Sequence, residues 1–198
     1  MITLRTLLAS VVNPTMMTKR DGVSLLGYGA MRLPTKDGGH ANSWNKDGYS
    51  DTGIDQERFN AQVKLMLEGG VNFFDTSPAY CRGESERRLG EALAASGYPR
   101  ESYVLSSKLS NFSKNQWSAE KSKEMFENTL KNLRTDYIDI YLLHSVAGGE
   151  FENRFVKNGM LDWLFEQKKL GRIRKLGFSI HGDFKRFEWL MSQHDSGR

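Results

Sequence analysis

Four residues of this 198-residue chain are suited to moving a proton on or off an oxygen: Asp75, Tyr80, Lys108 and His144. A phenol, with an ordinary pKa near 10, is a weak acid at neutral pH. A cation a few ångströms away favours the phenolate and makes proton release easier. Lys108 can supply that cation, Asp75 can pair with Lys108 and hold it, and His144 can hydrogen-bond a substrate oxygen where negative charge develops. No Ser–His–acid order and no metal-ligand cluster is evident in the sequence. The set is therefore built for proton transfer, and the electron chemistry must come from a cofactor. Taken singly, each residue has a plainer reading: Asp75 a loop cap, Tyr80 a half-buried aromatic, Lys108 a solvated strand end, His144 a satisfied core histidine.

Their placement makes them a set. Residues 71–75 form a short apolar run ending in the Asp75 carboxylate, with Tyr80 five positions on. A strand buried on both faces reads as such a run. Further strands are expected over 25–31, 103–108, 137–143 and 173–178. Amphipathic helices are expected between them: one capped by Asp55 with Phe59, Val63, Met66 and Leu67 on one face, one over 85–96, and one capped by Ser118 with Phe126, Leu130 and Leu133. Another is capped by Asn158 with Leu161 and Leu164, and a last one is started by Asp183. The Asp21–Gly22 pair predicts a small hairpin over 19–24. Gly27 and Gly29 do not form a G-x-G-x-x-G phosphate loop, because position 32 is Arg. The polar loop 34–53, with Trp44 and Tyr49, is read either as an active-site loop or as a surface insertion.

Alternating strands and helices imply βαβ units and a parallel sheet. The strand ends at 75, 108, 144 and 179 are 33, 36 and 35 positions apart. A polar residue at the carboxyl end of strand after strand favours an α/β fold of (β/α)8 TIM-barrel type over an open doubly wound sheet, since in a barrel those ends converge on one mouth. Five of the eight βα units are counted. We divide the chain into a 1–20 N-terminal extension and a 21–198 partial barrel domain.

The composition fits a globular domain: 38% hydrophobic, 26% charged, net charge +4. Basic residues are interleaved with acids, so no nucleic acid partner is implied. The single cysteine, Cys81, excludes an intrachain disulfide framework and a multi-cysteine metal site. No apolar run approaches the ~18 residues of a membrane span, and a cytoplasmic location is the default. Export through the weakly apolar 7–12 segment is the minor alternative.

The motifs resemble the aldo-keto reductase superfamily. Gly27 to Pro34 is similar to its first strand. Val71 to Tyr80, with Gly83-Glu84-Ser85-Glu86 and Leu89 to Leu93, is similar to its most specific signature. Ser107-Lys108-Leu109, Asp136 to His144 and Lys168 to Ser179 complete the likeness. It implies a TIM barrel that binds NADP (or NAD) and reduces a small-molecule aldehyde or ketone to an alcohol, with Tyr80 as general acid in a tetrad with Asp75, Lys108 and His144. It also implies cofactor contacts at Gly29, Met31, Arg32, Asp75 and Ser179, and no metal. Residues 177–183 look closer to a bacterial branch whose longer members carry an iron–sulfur segment, but the cysteines for one are absent. Ile180 stands where many relatives have Asn. The later strands, which in the family grip much of the cofactor, are missing. A partial sheet would expose two open edges, so the chain is expected to be marginal alone or completed by another polypeptide, and weak or no turnover is expected of it by itself. The alternative is an inactive fragment acting as a binding polypeptide or completed by another chain; an isomerase is a third reading.

Overall fold

The computed structural model describes residues 19–41, 53–146 and 150–195. Strands β1 (Lys19–Arg20) and β2 (Val23–Ser24) form the expected antiparallel hairpin. Asp21 (φ 53°) and Gly22 (φ 81°) are both left-handed, as a two-residue primed turn requires. The hairpin thus takes in Lys19 and Arg20, which the sequence grouped with the upstream extension. There follow β3 (Gly27–Gly29), α1 (Gln56–Glu68), β4 (Phe73–Asp75), α2 (Ser85–Ser96), β5 (Val104–Leu109) and α3 (Ala119–Leu133). Then come β6 (Ile138–Leu143), α4 (Met160–Lys169), β7 (Ile173–Phe178) and α5 (Phe184–Asp195). Five strands form one parallel sheet in sequence order, β3-β4-β5-β6-β7. This is the order that repeated βαβ units produce, and it leaves β3 and β7 at the two sheet edges.

The helix ends follow their local chemistry. The Asp55 side chain accepts from Arg58 N at the start of α1, and Ser118 accepts from Lys121 N at the start of α3. At α4 the cap position is Gly159 (φ 71°) rather than Asn158, although the Asn158 side-chain oxygen still takes the Met160 N–H at 3.1 Å. Gly97, at φ 76°, closes α2.

Two strands are shorter than the apolar runs suggest. Leu25 and Leu26 stand exposed instead of entering β3. Ahead of β4, Asn72 is committed elsewhere: its N–H donates to Ser24 Oγ (2.9 Å), its side chain accepts from Ser24 N (2.8 Å), and its amide donates to Gly22 O (2.9 Å). These bonds moor the hairpin to the amino-terminal end of the sheet. Near the same end Asp139 is buried, accepting from Arg100 (2.6 Å), Arg174 (2.8 Å) and Leu105 N (2.9 Å).

Strand alternation separates two faces of the sheet. Phe74, Leu105, Leu109, Tyr141 and Leu143 face the helices and are buried. Tyr141, for example, packs edge-on to Phe126 of α3 at 5.1 Å. The opposite, concave face carries Phe73, Asp75, Ser106, Lys108, Ile140 and Leu142, paired in register across β4, β5 and β6. In the helix layer α2 and α3 meet at Gly90, where a Cβ would lie 2.1 Å from Asn132 O, so only glycine allows the approach. Beside it the buried Glu86 accepts from Ser107 Oγ (2.7 Å) and Thr129 Oγ1 (2.9 Å), tying α2, β5 and α3 together. Burial raises its pKa, against the pull of those hydrogen bonds.

Candidate active site

The parity that puts Ser107 under the helices puts Ser106, Lys108 and Ser110 on the concave side. Lys108 is 4% exposed. Its Nζ donates to both Asp75 oxygens (2.8 and 2.7 Å) and to Thr76 O (2.8 Å), which uses the three donors of an ammonium. Ser106 Oγ adds a bond to Asp75 Oδ1 at 2.9 Å. Tyr80 opens a short 3-10 turn, Tyr80–Gly83. The Lys108 ammonium lies over its ring, 4.6 Å from the centroid, a cation–π contact. Lys108 therefore meets Tyr80 through the ring face. Among the described residues the Tyr80 hydroxyl makes no hydrogen bond. The Tyr80 ring stands nearly perpendicular to that of His144, with the centroids 5.7 Å apart.

His144 follows β6 and is buried, its N–H still bonded to Leu109 O at 3.2 Å. Its Nδ1 faces two hydroxyls, Ser110 Oγ at 2.6 Å and Ser77 Oγ at 3.3 Å, which are themselves 2.8 Å apart. Ala79 N donates to Ser77 Oγ at 3.1 Å. Both hydroxyl protons find an acceptor within this trio only when Nδ1 is unprotonated and takes one of them, at the shorter distance from Ser110. That assigns the neutral Nε2–H tautomer, with its proton available to an acceptor. Burial, then the charges of Lys108, Arg154 and His181, hold the imidazole pKa down to about 3. His144 is thus an uncharged hydrogen-bond donor across the neutral range.

Sequence reasoning did not single out Ser77, Ser110 or Ser106. The signal was there in the strand parity, since Ser106, Lys108 and Ser110 alternate along one strand and Ser77 shares parity with Asp75. Phe112 was missed as well; it is partly exposed, with its ring 4.9 Å from that of His144.

The residues expected at a cofactor lie along the same carboxyl-terminal edge. Gly29 pairs in register with Asp75, and a Cβ there would meet nothing within 4 Å. Met31 is half-buried and Arg32 exposed. Ser179 follows β7, but its Oγ accepts from Ser145 N at 2.9 Å, so this side chain also braces the turn after His144. Cys81 is buried with Sγ 3.3 Å from Met31 O, and Ser85 Oγ donates to Ala30 O at 2.6 Å; together they fasten the Tyr80 turn to the end of β3. Cys81 and Arg82 are both left-handed, at φ 50° and 55°. Trp44 and Tyr49 of the 34–53 loop lie outside the described residues.

A parallel sheet with these four side chains at successive strand ends has a counterpart among known proteins. The chain matches the Aldo/keto reductase family over residues 25–196. It belongs to that family. This aldo-keto reductase chain is 34% identical over 123 residues to a methylglyoxal reductase of Salmonella typhi, covering 60% of the chain and 41% of that relative. Among solved structures, an aldo-keto reductase of Bacillus halodurans in its holo form superposes with a TM-score of 0.58 at 29% identity, covering 80% of this chain and 46% of that one. An aldo-keto reductase of Klebsiella pneumoniae, solved with NADPH, shares the fold at a TM-score of 0.59 and 21% identity, covering 82% and 47%. The chain thus spans less than half the length of these proteins. Its five parallel strands and their helices are part of the (β/α)8 barrel of its structural relatives.

Proposed function

We propose that this chain carries the proton-transfer machinery of an NAD(P)H-dependent reductase that converts an aldehyde or ketone into an alcohol. The observation that carries the reading is the cluster at the mouth: the Asp75–Lys108 pair beneath the Tyr80 ring, with a neutral His144 beside it. Tyr80 Oη gives its proton to the carbonyl oxygen as that oxygen gains negative charge. His144 Nε2–H orients the same oxygen, and neutrality lets it do so without competing as an acid. Lys108, fixed by Asp75 and Thr76, holds its ammonium against the Tyr80 ring and so positions the phenol. A reduced nicotinamide would supply the hydride to the carbonyl carbon.

The residues present suit one flank of such a cofactor. The open backbone at Gly29 permits close approach, exposed Arg32 offers a cation to a phosphate, and the Ser179 hydroxyl proton remains to donate. In location we favour the cytoplasm: the chain has a single cysteine and so forms no intrachain disulfide, and among the described residues no helix is long and apolar enough to cross a membrane.

A second reading, a chain completed by another polypeptide, is favoured by the two edge strands, β3 and β7, which have no further strand beside them among the described residues. One experiment addresses both. The purified chain is titrated with NADPH by fluorescence, sized in solution, and assayed with an aromatic aldehyde. We expect NADPH binding and weak turnover that falls ~10²–10⁴-fold in Tyr80→Phe. Turnover unchanged by that substitution sinks the Tyr80 mechanism. No binding and no turnover by a folded chain, alone or assembled, sinks the reductase reading.

A further inference from the structure

Behind His144 sits a second buried cation. Arg154 is 2% exposed and lies in a π-helical turn, Glu152–Val156, closed by a bond from Lys157 N to Glu152 O at 2.8 Å. Such turns are rare and are frequent at functional sites. The guanidinium donates from Nη2 to His144 O (2.8 Å) and from Nη1 to Ser145 O (3.2 Å). Its Nε and Nη2 both donate to Asn111 Oδ1 (3.2 Å each), and Asn111 returns a bond to Arg154 O at 3.3 Å. Ser145 is left-handed at φ 52°, so the backbone turns sharply immediately after His144, and both carbonyls of the turn point at Arg154. On the other side Ser179 Oγ accepts from Ser145 N. Phe112 covers the arrangement, with its ring 4.9 Å from the imidazole and 5.6 Å from the Arg154 carbon Cζ.

Burying a guanidinium is costly unless its donors are met and its charge is opposed. Here its hydrogen-bonded acceptors are all neutral, and the charge that opposes it, Glu150, makes no hydrogen bond to it and does not offset the burial that lowers its pKa. Filling the space alone would be better served by an apolar side chain.

We propose that Arg154 is a positioning residue for His144, its guanidinium clamping the 144–145 carbonyls so that the imidazole holds one orientation and one tautomer at the mouth. The inference rests on the reading of His144 as the group that receives the substrate oxygen. Electrostatics acts in the same direction. The groups facing the imidazole are Lys108 from β5, Arg154 from the π-turn, His181 from beyond β7, and the neutral Tyr80, Ser77 and Ser110. The first three are cations or potential cations, and each opposes protonation of His144.

The test is proton–nitrogen correlation NMR on chain carrying 15N-labelled histidine, with His144 assigned through His144→Gln. In the native chain we expect a single neutral tautomer with Nδ1 unprotonated from pH 5 to 8. Arg154→Met should mix the two tautomers and raise the protonation midpoint by about one pH unit, as loss of a neighbouring cation requires. Asn111→Asp keeps the shape and gives the guanidinium a counter-charge; its midpoint should rise with the tautomer kept. If Arg154→Met does not fold, Arg154→Lys decides: it keeps the cation but loses the paired donors, and should mix the tautomers while the midpoint stays near native. Native tautomer and midpoint in a folded variant, with only the melting temperature lowered, would show a packing residue and overturn the proposal. The readout does not use turnover. A chain that shows these shifts but reduces no carbonyl keeps the clamp and loses the reductase reading.

Discussion

The two faces of the five-stranded sheet are built to different ends from the same strands. On the helix side, Phe74, Leu105, Leu109 and Tyr141 are entirely covered by residues of this chain. On the concave side, Phe73, Ile140 and Leu142 are only half-buried, and the polar groups Asp75, Ser106, Lys108 and Ser110 are bonded to one another or to His144. Stability therefore resides mainly on the face turned to the helices and chemistry on the one turned to the mouth. A residue's parity along its strand, more than its type, decides which it serves. Neighbours Ser107 and Lys108 show this: one bonds Glu86 under the helices, the other Asp75 at the mouth.

Substitutions that split function from stability test this division. The largest effect is expected from Lys108→Met, which removes the cation beneath Tyr80. Turnover should fall ~10²–10⁴-fold. The melting temperature should move little, because Asp75 keeps Ser106 and access to water. A variant that unfolds would place Lys108 among the stability determinants and break the division. Phe74→Ala should do the reverse, costing ~3–5 kcal/mol in chemical denaturation, as other buried Phe→Ala changes do. Phe73→Ala, one residue away on the half-open face, should cost well under half as much. Equal costs would show that the concave face is as fully packed as the helix side.

Acid provides a third probe. The folded pKa of His144 lies below its ordinary value, so between about pH 6.5 and 3 the unfolded chain binds a proton that the folded chain does not. Stability from this group is complete above the unfolded pKa and is lost as pH falls. The loss is on the order of 3 kcal/mol by pH 4, at ~1.4 kcal/mol per pKa unit. Denaturation curves at pH 4 and 8 should therefore lie further apart for the native chain than for His144→Gln. Equal separation in the two would mean that His144 does not remain neutral in the folded state.

Much of this was legible in the amino-acid order. Helix caps at Asp55 and Ser118, the Asp21–Gly22 turn and the apolar periodicity are local signals, because capping, turn formation and amphipathicity depend on residues a few positions apart. The regular recurrence of strand ends was enough to bring Asp75, Lys108 and His144 to one edge. Tertiary structure decided the rest. That Lys108 lies under the face of the Tyr80 ring, that two serines 33 positions apart jointly address His144, and that Arg154 reaches back to the His144 carbonyl are relations between distant segments. A lone serine or arginine in a sequence carries no mark of them, since its partners are fixed only when strands register and loops fold over their ends. The shortness of β4 has the same origin: Asn72 reads as part of a strand until the hairpin, 48 residues earlier, takes its hydrogen bonds.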